Sequence, residues 1–314
     1  MYYIGIDLGG TYIKAGLVDE LGNIIYKTRI PTRATEPAEV IVADMAQLAH
    51  TVIKESGVNT DDIESIGIGS PGTCDSKNGI LVYANNINFK NVPIRDMMQK
   101  HIDLPVFIGN DANCAAWGEY CMLPEKVNDI VFITLGTGVG GGAVIGGKLY
   151  EGFNGAAMEV GHTLLLRGGE LCTCGRRGCF EAYASVTALV RMTREYIAVR
   201  PRSTLAHRCG QNILDIDGKT AFDAARDGDE GGKEIIYEWT KYVAEGLVDI
   251  INLFQPQYLI IGGAVSHEGD FLLNPIKEHI SAYRYTRDSQ LQTRIQISSC
   301  GNDAGLIGAA FLGR

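Results

Sequence analysis

The sequence predicts an α/β protein built by duplication, and three observations carry that expectation. Apolar strand patterns alternate with helical ones along most of the chain. A strand, glycine turn, strand unit near the N-terminus returns about 127 residues later. Glycine supplies 39 of 314 residues without a Gly-X-Y period, as many tight turns or close backbone approaches require.

In order, Ile4-Gly5-Ile6 alternates into Asp7-Leu8-Gly9-Gly10-Thr11, a second apolar run passes through Ile13, Ala15, Leu17 and Val18, and Gly22-Asn23 turns into Ile24-Ile25-Tyr26. Ile41, Met45, Leu48 and Val52 recur at helical spacing. Ile63 to Ile68 reads as a strand ending at Gly69-Ser70-Pro71-Gly72, and Pro105 to Ile108 as another, after which Asn110-Asp111 opens a helix. The second copy runs from Ile130 to Leu135, turns through Gly136-Thr137-Gly138-Val139-Gly140-Gly141-Gly142, and continues as Ala143-Val144-Ile145 and Lys148-Leu149-Tyr150. Glu234 to Phe254 is a long helical pattern stopped by Gln255-Pro256. A strand over Tyr258 to Ile261, the turn Gly262-Gly263, a helix near Phe271 to Tyr283, a strand near Ile295 to Ser298 and a last helix from Asp303 to Phe311 complete the pattern. Gly228 to Gly232 reads as a charged surface loop.

The formal net charge of −9 argues against nucleic acid as the main partner. With no long apolar span and no leader pattern after Met1, the expected location is the cytoplasm, with no membrane partner. Of eight cysteines, Cys74, Cys114, Cys121, Cys209 and Cys300 are scattered and read as buried small hydrophobes. Cys172, Cys174 and Cys179 cluster on a glycine-bearing knuckle, and His162 upstream makes a natural fourth ligand for structural Zn²⁺; three unrelated thiols are the alternative.

The second glycine turn formally matches G-x-G-x-x-G, but its apolar, β-branched continuation favours a hairpin over the helix that a dinucleotide fingerprint must open. The paired turns instead offer backbone N–H groups that can approach phosphate closely, with hydroxyls at Thr11 and Thr137. Asp7 beside the first turn is a carboxylate suited to Mg²⁺. Read alone, these are also two ordinary β-turns. Asn110-Asp111 serves either as a helix cap or as a general base that takes a proton from a hydroxyl attacking phosphorus. Glu159, His162 and Glu181 flank the cysteine knuckle and could hydrogen-bond sugar hydroxyls.

Together these segments resemble the ROK family of the hexokinase/actin-like superfamily, and within it the bacterial glucokinases. The likeness rests on Asp7-Leu8-Gly9-Gly10-Thr11, on Leu135 to Gly142, on the E-x-G-H motif Glu159-Val160-Gly161-His162 and on C-x-C-G-x-x-G-C-x-E from Cys172 to Glu181. It implies a two-domain actin-like ATPase (ribonuclease H-like) fold: a small domain over 1–120 completed by a C-terminal helix over 302–314, and a large domain over 121–301. It implies Asp111 as catalytic base and Gly72, Asn86, Asn110, Glu159, His162 and Glu181 as sugar contacts, with His162 also on zinc. ATP phosphates fall to Asp7, Gly9, Gly10, Thr11, Gly136, Thr137 and Gly138, and the adenosine side to Gly262 and Gly263. The implied reaction is ATP-dependent phosphorylation of a hexose 6-hydroxyl, glucose first, with Mg²⁺, in a homodimer or homotetramer. Alternatives are a kinase for N-acetylglucosamine, N-acetylmannosamine, fructose or allose, or a non-catalytic sugar sensor. Family repressors carry a DNA-binding domain ahead of the sugar-binding part, and the motif at Asp7 leaves no room for one. Phe89, Met158 and Ala264 depart from the family's usual tryptophan, glycine and glycine.

Overall fold

Strand alternation in the first copy folds as a meander: β1 (Tyr2–Leu8), β2 (Tyr12–Asp19) and β3 (Ile24–Pro31) pair antiparallel. After α1 (Ala38–Ser56), which stops at Gly57 in the left-handed conformation, β4 (Ile63–Ser70) returns parallel to β1. A small antiparallel sheet of β5 (Thr73–Asp75), β6 (Ile80–Ala84) and β7 (Phe89–Val92) follows, and then α2 (Ile94–Met98). Next β8 (Val106–Asn110) pairs parallel with β4 and runs directly into α3 (Asp111–Met122). The computed structural model describes residues 1–84, 87–209 and 213–314.

The second copy repeats this plan with β9 (Ile130–Leu135), β10 (Val139–Ile145) and β11 (Lys148–Leu149). It continues through α4 (Glu181–Ala184), α5 (Val186–Val199), α6 (Thr204–Arg208), α7 (Thr220–Arg226) and α8 (Glu230–Phe254) to β12 (Tyr258–Gly262). Then α9 (Asp270–Tyr283) leads to β13 (Arg294–Ile297), and α10 (Ala304–Ala310) closes the chain. One large sheet has the order β3-β2-β1-β4-β8 and the other β11-β10-β9-β12-β13. Each places its third, second, first, fourth and fifth strands in the same sequence, so the repeat seen in the motifs is a repeat of topology.

The chain divides into two compact units, one of residues 1–132, 142–158 and 298–314 and the other of 133–141 and 159–297. In the first, β1 alternates strictly. Ile4, Ile6 and Leu8 enter a core with Ile41, Met45, Leu48 and Val52 of α1. Tyr3 turns to the opposite face, where it packs with Val18, Leu306, Ile307 and Phe311. On that face α10 lies so close that a β-carbon at Gly5 would collide with the Leu306 carbonyl, and one at Gly67 with the Ala309 carbonyl. Gly308 of α10 meets the Cys114 carbonyl of α3 in the same way. The Trp117 indole N–H donates to the Phe311 carbonyl at 3.0 Å and fastens the far end.

One expectation needs correction, and one sheet was not foreseen. The segment Gly228 to Gly232 is not all loop: Asp229 caps α8 by accepting from Gly232 N, and Gly231 and Gly232 are buried inside the helix. The β5–β7 sheet went unforeseen, because strands of three to five residues give too little alternation to register. Among the described residues, no helix is long and apolar enough to cross a membrane.

The glycine contacts make a paired prediction within one helix. Gly308→Ala is expected to destabilise by about 3 kcal/mol through overpacking. Gly305→Ala, which meets open space, should stabilise by roughly 0.5–1 kcal/mol. Urea unfolding of the two variants checks this, and equal midpoints would refute the close-packing account.

Candidate active site

Three adjacent parallel strands of the first unit end in the residues that the sequence singled out. Asp7 lies near the end of β1, Ser70 and Gly72 at the end of β4, and Asn110-Asp111 at the end of β8. Ligands of open α/β sheets bind outside such carboxyl ends. Asn110 is a true N-cap: its side-chain oxygen accepts from Ala112 N at 2.9 Å and Asn113 N at 3.1 Å. Its amide also donates to the Gly72 carbonyl at 3.0 Å, tying the helix start to the preceding loop. The cap reading holds, and the cap leaves Asp111 as an exposed first helical residue.

The loop is held from behind by Arg95. Its guanidinium donates to the carbonyls of Ser76, Lys77 and Val106 at 2.8–2.9 Å, joining the β5–β6 turn to the start of β8. At the other end of α3, the fully buried Glu119 carboxylate accepts from Ser298 Oγ, from Ser299 N and Oγ at 3.0 Å each, and from Cys300 N at 2.9 Å. Neither residue carried a sequence signal, because an isolated Arg or Glu looks like solvated surface until its partners are known. Burial dominates at Cys74 and Cys114, whose thiols are pushed well up, in keeping with inert core cysteines. Cys121, Cys209 and Cys300 are only half-buried.

The first glycine turn is closed by Gly9 N donating to the Tyr12 carbonyl at 3.0 Å, and Thr32 Oγ1 donates to the Gly9 carbonyl at 2.6 Å. Gly10 and Thr11 are exposed at its tip. The Asp7 carboxylate accepts from Lys14 Nζ at 2.8 Å. In the second unit, Gly136 N donates to the Gly138 carbonyl at 3.0 Å, while Thr187 Oγ1 donates to the Thr137 carbonyl at 2.7 Å. Gly262 ends β12, and Gly263, with φ of +88°, packs on the backbone of Leu135.

The same unit gathers His162, Cys172, Cys174 and Cys179, whose donor atoms all lie within 4.8 Å of one another. His162 Nδ1 is 3.6 Å from Cys172 Sγ, and Cys174 Sγ is 3.6 Å from Cys179 Sγ. A disulfide needs about 2.05 Å, whereas a tetrahedron with Zn–S bonds of ~2.3 Å has edges of about 3.8 Å. The donor set and its spacing fit a four-coordinate zinc. Glu181 links this knuckle to the second glycine turn, accepting from Thr173 Oγ1 at 3.0 Å and from Val139 N at 3.1 Å. Gly161 abuts the Val139 carbonyl, and exposed Glu159 opens the short turn containing His162. The structure thus groups Gly72, Asn110 and Asp111 in one unit and Glu159, His162 and Glu181 in the other; Asn86 lies outside the described residues.

The ROK family profile matches residues 3–314. The chain belongs to the ROK family. The glucokinase of Streptomyces coelicolor is 38% identical over 314 residues, covering 99% of this chain and 97% of that protein. The glucokinase of Halalkalibacterium halodurans is 35% identical over 313 residues, covering 99% and 94%. A solved ROK family glucokinase from Streptomyces griseus, in complex with glucose and AMPPNP, matches with a TM-score of 0.84 at 37% identity, covering 99% of each chain. The fold is accordingly the actin-like ATPase fold of ROK sugar kinases.

Two departures from the ROK motifs become intelligible. Ala264 begins a 3₁₀ turn and is not left-handed; only Gly263 must be glycine there. Met158 is different, for this buried residue holds φ of +66°, a left-handed conformation costing a non-glycine residue roughly 1–2 kcal/mol. Phe89 is a fully buried core residue.

Protein purified without chelator is expected to carry about one zinc per chain by elemental analysis. Cys179→Ser should reduce that content, and far less than one zinc in the unmodified protein would overturn the metal assignment.

Proposed function

We propose that this protein transfers the γ-phosphoryl group of ATP to the 6-hydroxyl of a hexose, with glucose as the preferred acceptor. The carrying observation is the carboxyl edge of the first sheet, where the Asp7 glycine turn and the capped, exposed Asp111 terminate strands of one parallel set. Full-length similarity to two glucokinases supports the same reading.

In this mechanism Asp111 accepts the proton of the 6-hydroxyl as that oxygen forms its bond to the γ-phosphorus, and the bond to the bridging oxygen of ADP breaks in line. Asn110 and Gly72 fix the position of Asp111 and offer polar groups to the sugar. The assignment of Asn86, Glu159, His162 and Glu181 to sugar hydroxyls rests on the family motifs. Backbone amides of the turns Gly9-Gly10-Thr11 and Gly136-Thr137-Gly138 donate toward phosphate oxygens. Gly262 and Gly263 are assigned to the adenosine side. Asp7 would hold Mg²⁺, consistent with an ion that uses one or two carboxylates together with substrate phosphates. When bound, the ion neutralises developing phosphate charge. Zinc at His162, Cys172, Cys174 and Cys179 would be structural, since protein donors fill all four positions.

Asp111→Ala should lower kcat by 10²–10⁴-fold while leaving the unfolding midpoint and sugar binding in place. The measurement is ADP release with Mg²⁺ and ATP across glucose, N-acetylglucosamine, N-acetylmannosamine, fructose, mannose and allose. Retention of more than about a hundredth of the rate by the variant would exclude Asp111 as the base, and a stronger acceptor than glucose would change the substrate named here.

A further inference from the structure

Among the described residues, three that are not glycine take a left-handed backbone: Asn91, Met158 and Gln255. Asn91 and Gln255 are exposed, the first of a residue type that tolerates this conformation and the second ending α8 just before Pro256. Met158, at φ of +66°, is buried, and it immediately precedes the Glu159 that the proposed reaction assigns to the sugar. Gly152 and Gly155 turn left-handed earlier in the same loop, so glycine serves at the other positions where this segment turns that way. Strain of this kind persists only where the surrounding structure fixes it.

The chain is fixed on both sides of Met158. Upstream, Ser76 Oγ donates to Glu151 Oε2 at 2.8 Å, and Ala157 N donates to the Glu151 carbonyl at 3.1 Å. Gly155 lies so close to the Cys74 carbonyl that no β-carbon fits between them, which ties the loop to β5 two residues beyond Gly72. Downstream, His162 N donates to the Glu159 carbonyl at 3.0 Å, and Gly161 abuts the Val139 carbonyl. The Glu159 carboxylate itself is exposed and, among the described residues, has no hydrogen-bond or ion-pair partner, whereas Glu181 is held by Thr173 and Val139. The direction of Glu159 is therefore set by its backbone alone. We propose that Met158 is a specificity-determining positioning residue: its left-handed turn, made with a β-carbon that glycine would lack, confines Glu159 to a narrow set of directions and so narrows the range of sugars accepted. The inference rests on the assignment of Glu159 to sugar hydroxyls.

Met158→Gly and Met158→Ala both remove the long side chain, so the difference between the two variants reports the backbone. Urea unfolding should find the glycine variant the more stable, because alanine keeps a β-carbon in a left-handed turn. Glucose binding, measured by calorimetry, should run in the opposite order. The glycine variant is expected to bind glucose about fivefold more weakly than the alanine variant and to raise the KM for glucose by the same factor, with the KM for ATP unchanged and kcat moved far less. Its preference for glucose over N-acetylglucosamine should fall by a similar factor. A purely structural role would make affinity follow stability. That order, equal glucose affinities, or an alanine variant more stable than the glycine one would each overturn the proposal. Turnover on a hexose with equal affinities in the two variants would leave the reaction standing and reject the role of Met158. Variant-ordered glucose binding without turnover on any hexose would do the reverse, and an unmodified protein that binds no hexose would overturn both.

Discussion

The close approach of α10 to β1, β4 and α3 is the constraint on which the first unit depends. A helix backbone normally stands off a sheet by the depth of its side chains. Here Gly5, Gly67 and Gly308 remove that depth, and carbonyls of Leu306, Ala309 and Cys114 occupy the places where β-carbons would be. Because α3 begins with Asp111 and β1 ends beside Asp7, the same contact fixes both carboxylates on one frame. Glu119 reinforces it by gripping the segment just ahead of α10 with four donors. A buried carboxylate left without those donors would be strongly destabilising, so the grip and the helix position are set together.

The second unit holds its glycine turn by different chemistry. Its glycine turn is braced by Glu181 and Gly161, and both belong to segments organised around the cysteine knuckle. Four donors, His162, Cys172, Cys174 and Cys179, converge in that knuckle. The two halves therefore share a strand order but differ in what braces the loop at the glycine turn.

Much of this was legible in the residues. The duplicated turn motifs foretold the duplicated sheets, and the Cys/His spacing foretold the four-donor cluster, because both signals are local in sequence. Asn110-Asp111 was readable as a helix start for the same reason. Arg95 and Glu119 were not, since their partners lie at Ser76, Val106 and Ser298 to Cys300. The glycine surplus suggested close approaches, but which glycines face α10 depends on strand alternation across elements distant in the chain. Met158 was visible only as an unusual residue before Glu159; its left-handed backbone is a property of the folded loop.

The return of residues 298–314 to the first unit also has a consequence for biosynthesis. The intervening segment 159–297 must be translated first, which at ~5–20 residues per second takes on the order of ten seconds. Throughout that interval Tyr3, Val18 and the glycine-lined face lack the helix that covers them. The part of the protein made first is completed last, and its nascent sheet is the surface that ribosome-associated chaperones would need to shield.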